Sequence, residues 1–138
     1  MNTAPSRGSE PAAPNPHKGR TGLDRILRAT GYSFNGLRLA ISGESAFRQE
    51  LVLALVMLPA SWWLGRNWVE VALLAGSVVL VLIVELLNSS IEAVVDRVSL
   101  DLHELSKRAK DIASAAVFLS LALAGAIWAA AMWQRFGG

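Results

Sequence analysis

The pattern of apolar and polar positions divides the chain into four helical stretches. Between residues 21 and 42, Leu23, Ile26, Leu27, Phe34, Leu37 and Ile41 approximate one helical stripe, and Arg25, Arg28, Tyr32 and Asn35 approximate the other. Such a pattern predicts an amphipathic helix lying in a membrane interface. Thr21 with Asp24 resembles a capping box at its start, and Gly31 and Gly36 weaken it. Leu51 to Leu64 is apolar and ends in Trp62 and Trp63. With part of the preceding turn it predicts a span over about residues 47–64, marginal by length. Gly65, Arg66 and Asn67 form a turn, bracketed by Trp62, Trp63 and Trp68 as an aromatic belt would bracket it. Val69 to Asp96 predicts a second span over 69–96, about 42 Å long at 1.5 Å per residue, which outruns a ~30 Å hydrocarbon core. Ile112 to Trp133 carries no charge and predicts the clearest span, over about 111–134, with Ser114, Ala115 and Ala116 small enough for close helix contact. Arg97 to Lys110 reads as a charged connection that holds at most a short helix. The expected fold is an all-α membrane protein, with an N-terminal amphipathic surface helix and three transmembrane helices.

Composition sharpens this. Hydrophobic residues make up 53% of the chain and charged residues 17%, and the charge is confined to a few segments. Four of the five prolines fall in residues 1–20, which read as a disordered tail ahead of one integral-membrane domain over 21–138, and not as a secretory signal. Without cysteine there is neither a disulfide framework nor a thiolate metal site. The net charge is only +2, but seven of the thirteen Lys/Arg lie in residues 1–50 and four in 97–110. The positive-inside rule puts the N-terminal region and the 97–110 loop in the cytoplasm.

The second span also carries the chemistry. Glu85, Asn88, Glu92 and Asp96 are spaced three, four and four residues apart and fall on one helical face. An ionised carboxylate at a bilayer centre costs about 2.5–3.5 kcal/mol on insertion scales, so such residues face a bundle interior or a wet cavity and mark a functional site. Three spans leave little enclosed room, so burial of Glu85 and Glu92 is expected to need contact between subunits. The chain contains neither G-x-x-x-x-G-K-[ST] nor G-x-G-x-x-G, so phosphate would have to be held by metal ions and basic side chains. Glu44, Glu92 and Asp96 lie near the cytoplasmic interface with Arg25, Lys107, Arg108 and Lys110. Magnesium is often bound by one or two carboxylates plus substrate phosphates, which would suit Glu44 and Glu92. Glu85, set deeper, could take a proton from a lipid hydroxyl. These residue types fit phosphoryl transfer at a membrane surface, and equally ion or proton transport.

The run E-L-L-N-S-S-I-E-A-V-V-D-R followed by H-E-L-S-K-R-A-K-D-I-A-S-A-A-V resembles the signature of the prokaryotic diacylglycerol kinases, a family of small integral-membrane proteins. G-Y-S-F-N-G-L-R and E-S-A-F-R-Q-E resemble that family's N-terminal helix and first-span entry, and the likeness covers roughly Leu23 to Phe136. The resemblance implies transfer of the ATP γ-phosphate, with Mg2+, to the 3-hydroxyl of diacylglycerol, giving phosphatidic acid. It implies a homotrimer in the bacterial inner membrane, with sites shared between subunits and no nucleic-acid partner. Carried over by position, Glu85 resembles the catalytic base, Asn88 lies between the functional carboxylates, and Glu44 and Glu92 resemble the metal ligands. Arg25, Tyr32, His103, Lys110 and Asp111 match nucleotide-contacting positions, and the backbone at Asp101 and Leu102 would join them. Ala29, Thr30, Gly31, Ser33, Phe34, Arg38, Ala46, Phe47, Arg48, Gln49 and Glu50 match the lipid-binding surface, with Ser114 beside it. Lys107 stands where a glycine can occur in the family. The rival readings are undecaprenol kinase, a related activity on a polyprenyl alcohol, and a non-enzymatic proton or ion carrier.

Overall fold

The computed structural model describes residues 22–98 and 103–137, apart from the side chain of Leu23. The 1–20 tail, Thr21 of the expected capping box, and Asp101 and Leu102 lie outside the described residues. Among the described residues there are four helices and no strand: α1 (Gly22–Gly43), α2 (Ser45–Leu64), α3 (Trp68–Val98) and α4 (Glu104–Phe136). The chain divides within α1 into a unit ending at Asn35 and a unit starting at Gly36.

The N-terminal unit is the first part of α1. Asp24 and Arg28 pair at 3.5 Å one helical turn apart. Thr30 and Ser33 turn their hydroxyls back to the carbonyls of Ile26 and Ala29, which keeps the hydroxyls satisfied without a tertiary partner. Ile26, Leu27 and Phe34 are exposed, so the apolar stripe that the sequence pattern predicts is present and uncovered.

In the second unit α3 packs extensively against α4 and against α2, while α2 and α4 scarcely touch. The core holds Ala54 and Leu64 of α2, Leu74 and Val78 of α3 and Trp128 of α4. The Trp128 indole N–H donates to the Leu74 carbonyl across 3.3 Å, tying α4 to α3. Buried Ser61, Ser77 and Ser120 donate to carbonyls three residues back in their own helices. No polar hydroxyl of these three is left to face an apolar neighbour. The inward stripe of α4 is Ala113, Ser120, Ala124 and Trp128. Ser114, Ala115 and Ala116, expected at the helix contact, are exposed. The helical phase turns Ala113, one residue earlier, toward α3.

Among the described residues, two helices are long and apolar enough to cross a membrane, α3 with 31 residues and α4 with 33. At 1.5 Å per residue they run about 46 and 50 Å, beyond a ~30 Å core. The outer surface suits that medium: Val52, Leu55, Val79, Ile83, Phe118 and Leu119 are all exposed, and water-soluble monomers rarely present so much contiguous apolar surface. α2 has 20 residues, with Arg48 and Glu50 in its early turns and Pro59 inside it.

Two junctions set the ends of α3. At the first, the Glu70 N–H donates to Asn67 Oδ1 at 3.0 Å, while Glu70 accepts from Asn67 Nδ2 at 3.1 Å and from the Arg66 N–H at 2.9 Å. Reciprocal bonding of this kind is a capping box, and it starts α3 sharply. A Cβ on Gly65 would lie 2.6 Å from Val71 Cγ2 and 2.9 Å from the Val71 nitrogen, so the tight turn needs glycine there. At the other end the connection is shorter than expected. α3 continues to Val98 and α4 begins at Glu104, so the described residues of the charged 97–110 segment are largely helical and belong to these two long helices. The charges do not break the helices because they bond along or between them: Lys107 to Asp111 within α4, and Lys110 to Asp96 between α4 and α3.

Candidate active site

The acidic face of α3 is a graded series. Glu85 is 4% exposed, Asn88 and Glu92 are half-buried, and Asp96 is exposed. Asn88 Nδ2 donates to Glu92 Oε1 at 3.2 Å, which leaves the other Glu92 oxygen uncommitted by this pair. Lys110 Nζ donates to Asp96 Oδ1 at 2.6 Å. The exposed end of the face is thus cationic as well as acidic. Glu85 is thus buried within a single chain. The expectation that it needs a second subunit is corrected on this point.

Two further carboxylates approach from α2. Glu44 is the N-cap of α2, yet its side chain makes no capping hydrogen bond. Its carboxylate therefore remains available, and its charge, like that of Glu92, acts on Glu85. Glu44 and Arg48 stand four residues apart, yet they form no ion pair among the described residues. Arg48 Nη1 donates instead to the carbonyls of Ile41 and Ser42, at 3.2 and 3.3 Å, and so covers the C-terminus of α1. Glu50 lies two turns into α2, within electrostatic reach of Glu85. It stands at the end of an apolar cleft of about 210 Å³ walled by Leu53, Met57, Val81, Leu82 and Leu121.

Hydrogen-bonding capacity is left unspent on α2 and α3. Among the described residues, the buried side-chain polar atoms without a partner are Glu50 Oε2, Asn88 Oδ1 and Ser89 Oγ. Leaving a buried polar atom unpaired costs roughly 1–3 kcal/mol, so each of these atoms is open to a partner that supplies the missing bond. The donors gathered here are all hard oxygens, which suits magnesium. No group of three or more His, Asp or Glu is assembled among the described residues. A divalent ion would therefore be held by Glu44 or Glu92 together with oxygens that a bound phosphate brings.

The remaining sequence-predicted residues fall in two places. Arg25, Ala29, Thr30, Gly31, Tyr32, Ser33 and Phe34 are all exposed on the N-terminal unit of α1. Arg38, Ala46, Gln49, Asp111 and Ser114 are exposed in the second unit, whereas Phe47 is buried at 2% and packs inward. His103 is the N-cap of α4, its Nδ1 accepting from the Leu105 N–H at 3.2 Å. With Nδ1 spent as acceptor, Nε2 is the ring nitrogen left for a further contact. Ser89 was not singled out by spacing. Its only sequence signal is its place between Glu85 and Glu92.

A family model described as Prokaryotic diacylglycerol kinase matches residues 31–132. Named relatives agree over most of the chain. The Diacylglycerol kinase of Pseudomonas aeruginosa PAO1 is 53% identical over 117 residues, 85% of this chain and 95% of that protein. That of Escherichia coli K12 is 50% identical over 117 residues, 85% of this chain and 96% of that protein. That of Haemophilus influenzae Rd is 46% identical over 108 residues, 78% of this chain and 92% of that protein.

Proposed function

The chain belongs to the prokaryotic diacylglycerol kinase family, and from that premise we propose that it transfers the γ-phosphate of ATP to the free hydroxyl of diacylglycerol, giving phosphatidic acid and ADP. The observation that carries this reading is the buried Glu85 on the acidic face of α3, with unpaired buried oxygens on Asn88 and Ser89 of the same helix and on Glu50, which stands in the wall of an apolar cleft. A lipid alcohol needs apolar walls for its chains and a carboxylate for its hydroxyl; a nucleotide needs the charged end of the same helix.

In this reading the hydroxyl donates its hydrogen bond to Glu85, which takes the proton as the oxygen attacks phosphorus. The new bond is from that oxygen to the γ-phosphorus, and the bond broken is from the γ-phosphorus to the β–γ bridging oxygen, which leaves on ADP. Glu44 and Glu92 hold Mg2+, with Asn88 fixing the Glu92 carboxylate. When bound, the metal neutralises charge on the phosphates. Lys110, steadied by Asp96, contributes its remaining N–H donors to the phosphate chain. Arg25, Tyr32, His103 and Asp111 complete the nucleotide contacts, and the exposed face of α1, Arg38, Ala46, Gln49 and Ser114 admit the lipid. The reading includes a third crossing by α2, α1 at the surface, a homotrimer, and residence in the bacterial inner membrane. Light scattering of the purified protein in detergent tests the trimer.

The decisive assay supplies purified protein with ATP, Mg2+ and diacylglycerol in mixed micelles. It follows ADP release and transfer of radiolabelled phosphate to lipid. Lipid-dependent ADP release matched by labelled phosphatidic acid is expected. Preference for undecaprenol in direct competition would redirect the reading to the polyprenyl alcohol, and absence of lipid-dependent turnover would end it.

A further inference from the structure

Ser89 differs from the other buried serines. Ser61, Ser77 and Ser120 each return their hydroxyl to a carbonyl of their own helix at 2.6 to 2.8 Å, and even exposed Ser90 does so to Leu87. Ser89 Oγ is buried and bonds to nothing. The intrahelical bond is the default for a serine in an apolar helix. A hydroxyl that forgoes it while shut away from solvent is held ready for another partner.

Position says which partner. At about 100° per residue, Ser89 lies about 40° around α3 from Glu85, one turn further along the helix, and about 60° from Glu92, at the edge of the acidic face. The charges acting on Glu85 come from Glu92 and Glu44, and Glu50 feels Glu85. With these carboxylates acting at Glu85, its neighbourhood on α3 disfavours a phosphate without a counter-ion and accepts a neutral alcohol readily. An alcohol oxygen also matches the bonding left open, since it can donate one hydrogen bond to a carboxylate and accept one from a hydroxyl.

Resting on the assignment of Glu85 as base, we propose that Ser89 is a further substrate-binding residue, its Oγ–H donating to the oxygen of the lipid alcohol whose own proton goes to Glu85. The two bonds fix the direction of the remaining lone pair, which is the one that attacks phosphorus. Ser89 keeps its proton throughout. The hydroxyl of Ser89 thereby selects lipids by their free alcohol, while the apolar cleft selects only for hydrocarbon.

The test compares Ser89→Ala and Ser89→Thr in the full chain, titrating diacylglycerol at saturating Mg-ATP and then ATP at saturating lipid. Loss of one neutral hydrogen bond of about 0.5–1.5 kcal/mol corresponds to a roughly twofold to tenfold rise in the lipid KM of Ser89→Ala. The ATP KM is expected to stay unchanged, and Ser89→Thr to return the lipid KM toward the original value. Because KM does not depend on the fraction of active protein, partial misfolding of a variant does not mimic this result. An unchanged lipid KM in Ser89→Ala, or a rise in the ATP KM alone, overturns the proposal. A Glu85→Gln control separates the two ideas: a dead control beside an unaltered Ser89→Ala rejects the Ser89 role only, whereas an active control rejects the base assignment itself.

Discussion

Glu85 is the residue where cost and function meet. A carboxylate buried in a membrane helix is tolerated when groups around it need it, and here Glu44, Glu50 and Glu92 all lie within reach of its charge or share its face. Removing the charge while keeping the shape should separate chemistry from binding. Glu85→Gln is expected to lower kcat by at least about a hundredfold, the usual scale of a general base, with ATP affinity measured by calorimetry changed less than about threefold. Substantial retained turnover would exclude Glu85 as the base. The two outer carboxylates should behave differently. Glu44→Ala and Glu92→Ala are expected to raise the magnesium concentration for half-maximal rate by roughly tenfold or more, the scale of losing one ligand or its support. A superimposable magnesium titration would remove them from the metal site. Asn88→Ala should shift the same titration in the same direction, because Asn88 holds Glu92 at 3.2 Å.

At the scale of elements, the apolar pattern was readable where it was long, and the charged ends were not. The apolar runs 69–96 and 112–133 lie inside α3 and α4. The pattern broke at Arg97 because hydropathy changes there, but the helix does not. Its last turns and the first turns of α4 are held by His103 as cap and by the Lys110–Asp96 bond. Side-chain pairing across fourteen residues has no signature in a one-dimensional pattern. The start of α3 was readable and overlooked, since Asn67 and Glu70 stand three apart just before an apolar run. Likewise the acidic face followed from spacing alone, while the burial of Glu85 within one chain depends on packing. The capping box predicts a measurable effect. Glu70→Ala removes acceptors for the Arg66 N–H and Asn67 Nδ2 and should destabilise the start of α3. Thermal unfolding in detergent, followed by circular dichroism, would register this as a lower midpoint with activity at low temperature intact. An unmoved midpoint would mean that packing of α2 on α3 alone defines the turn.

At the scale of the molecule, the open question is how the helices thread the bilayer. α3 and α4 have the length and hydropathy to cross. α2 is shorter, and its uncharged part runs only from Leu51 to Leu64. It can cross if Arg48 and Glu50 remain at the headgroup level while Trp62 and Trp63 sit at the opposite interface. Arg48 is exposed and already bonded to carbonyls at the end of α1. Trp62 stacks edge-on against Trp68, with ring centroids 5.2 Å apart, and Trp63 lies 5.9 Å from Phe136, gathering aromatic rings at the turn end. These features favour a full crossing with Gly43 and Glu104 in the cytoplasm and Arg66 outside. Because the chain has no cysteine, a single introduced thiol reports its own side without background. Arg66→Cys in spheroplasts is expected to react with a membrane-impermeant maleimide. Gly43→Cys and Glu104→Cys should react only after permeabilisation. Labelling of Gly43→Cys and Arg66→Cys from the same side would show that α2 dips into the membrane and returns. The Glu44 carboxylate would then have to reach Glu85 by a different path than the one proposed.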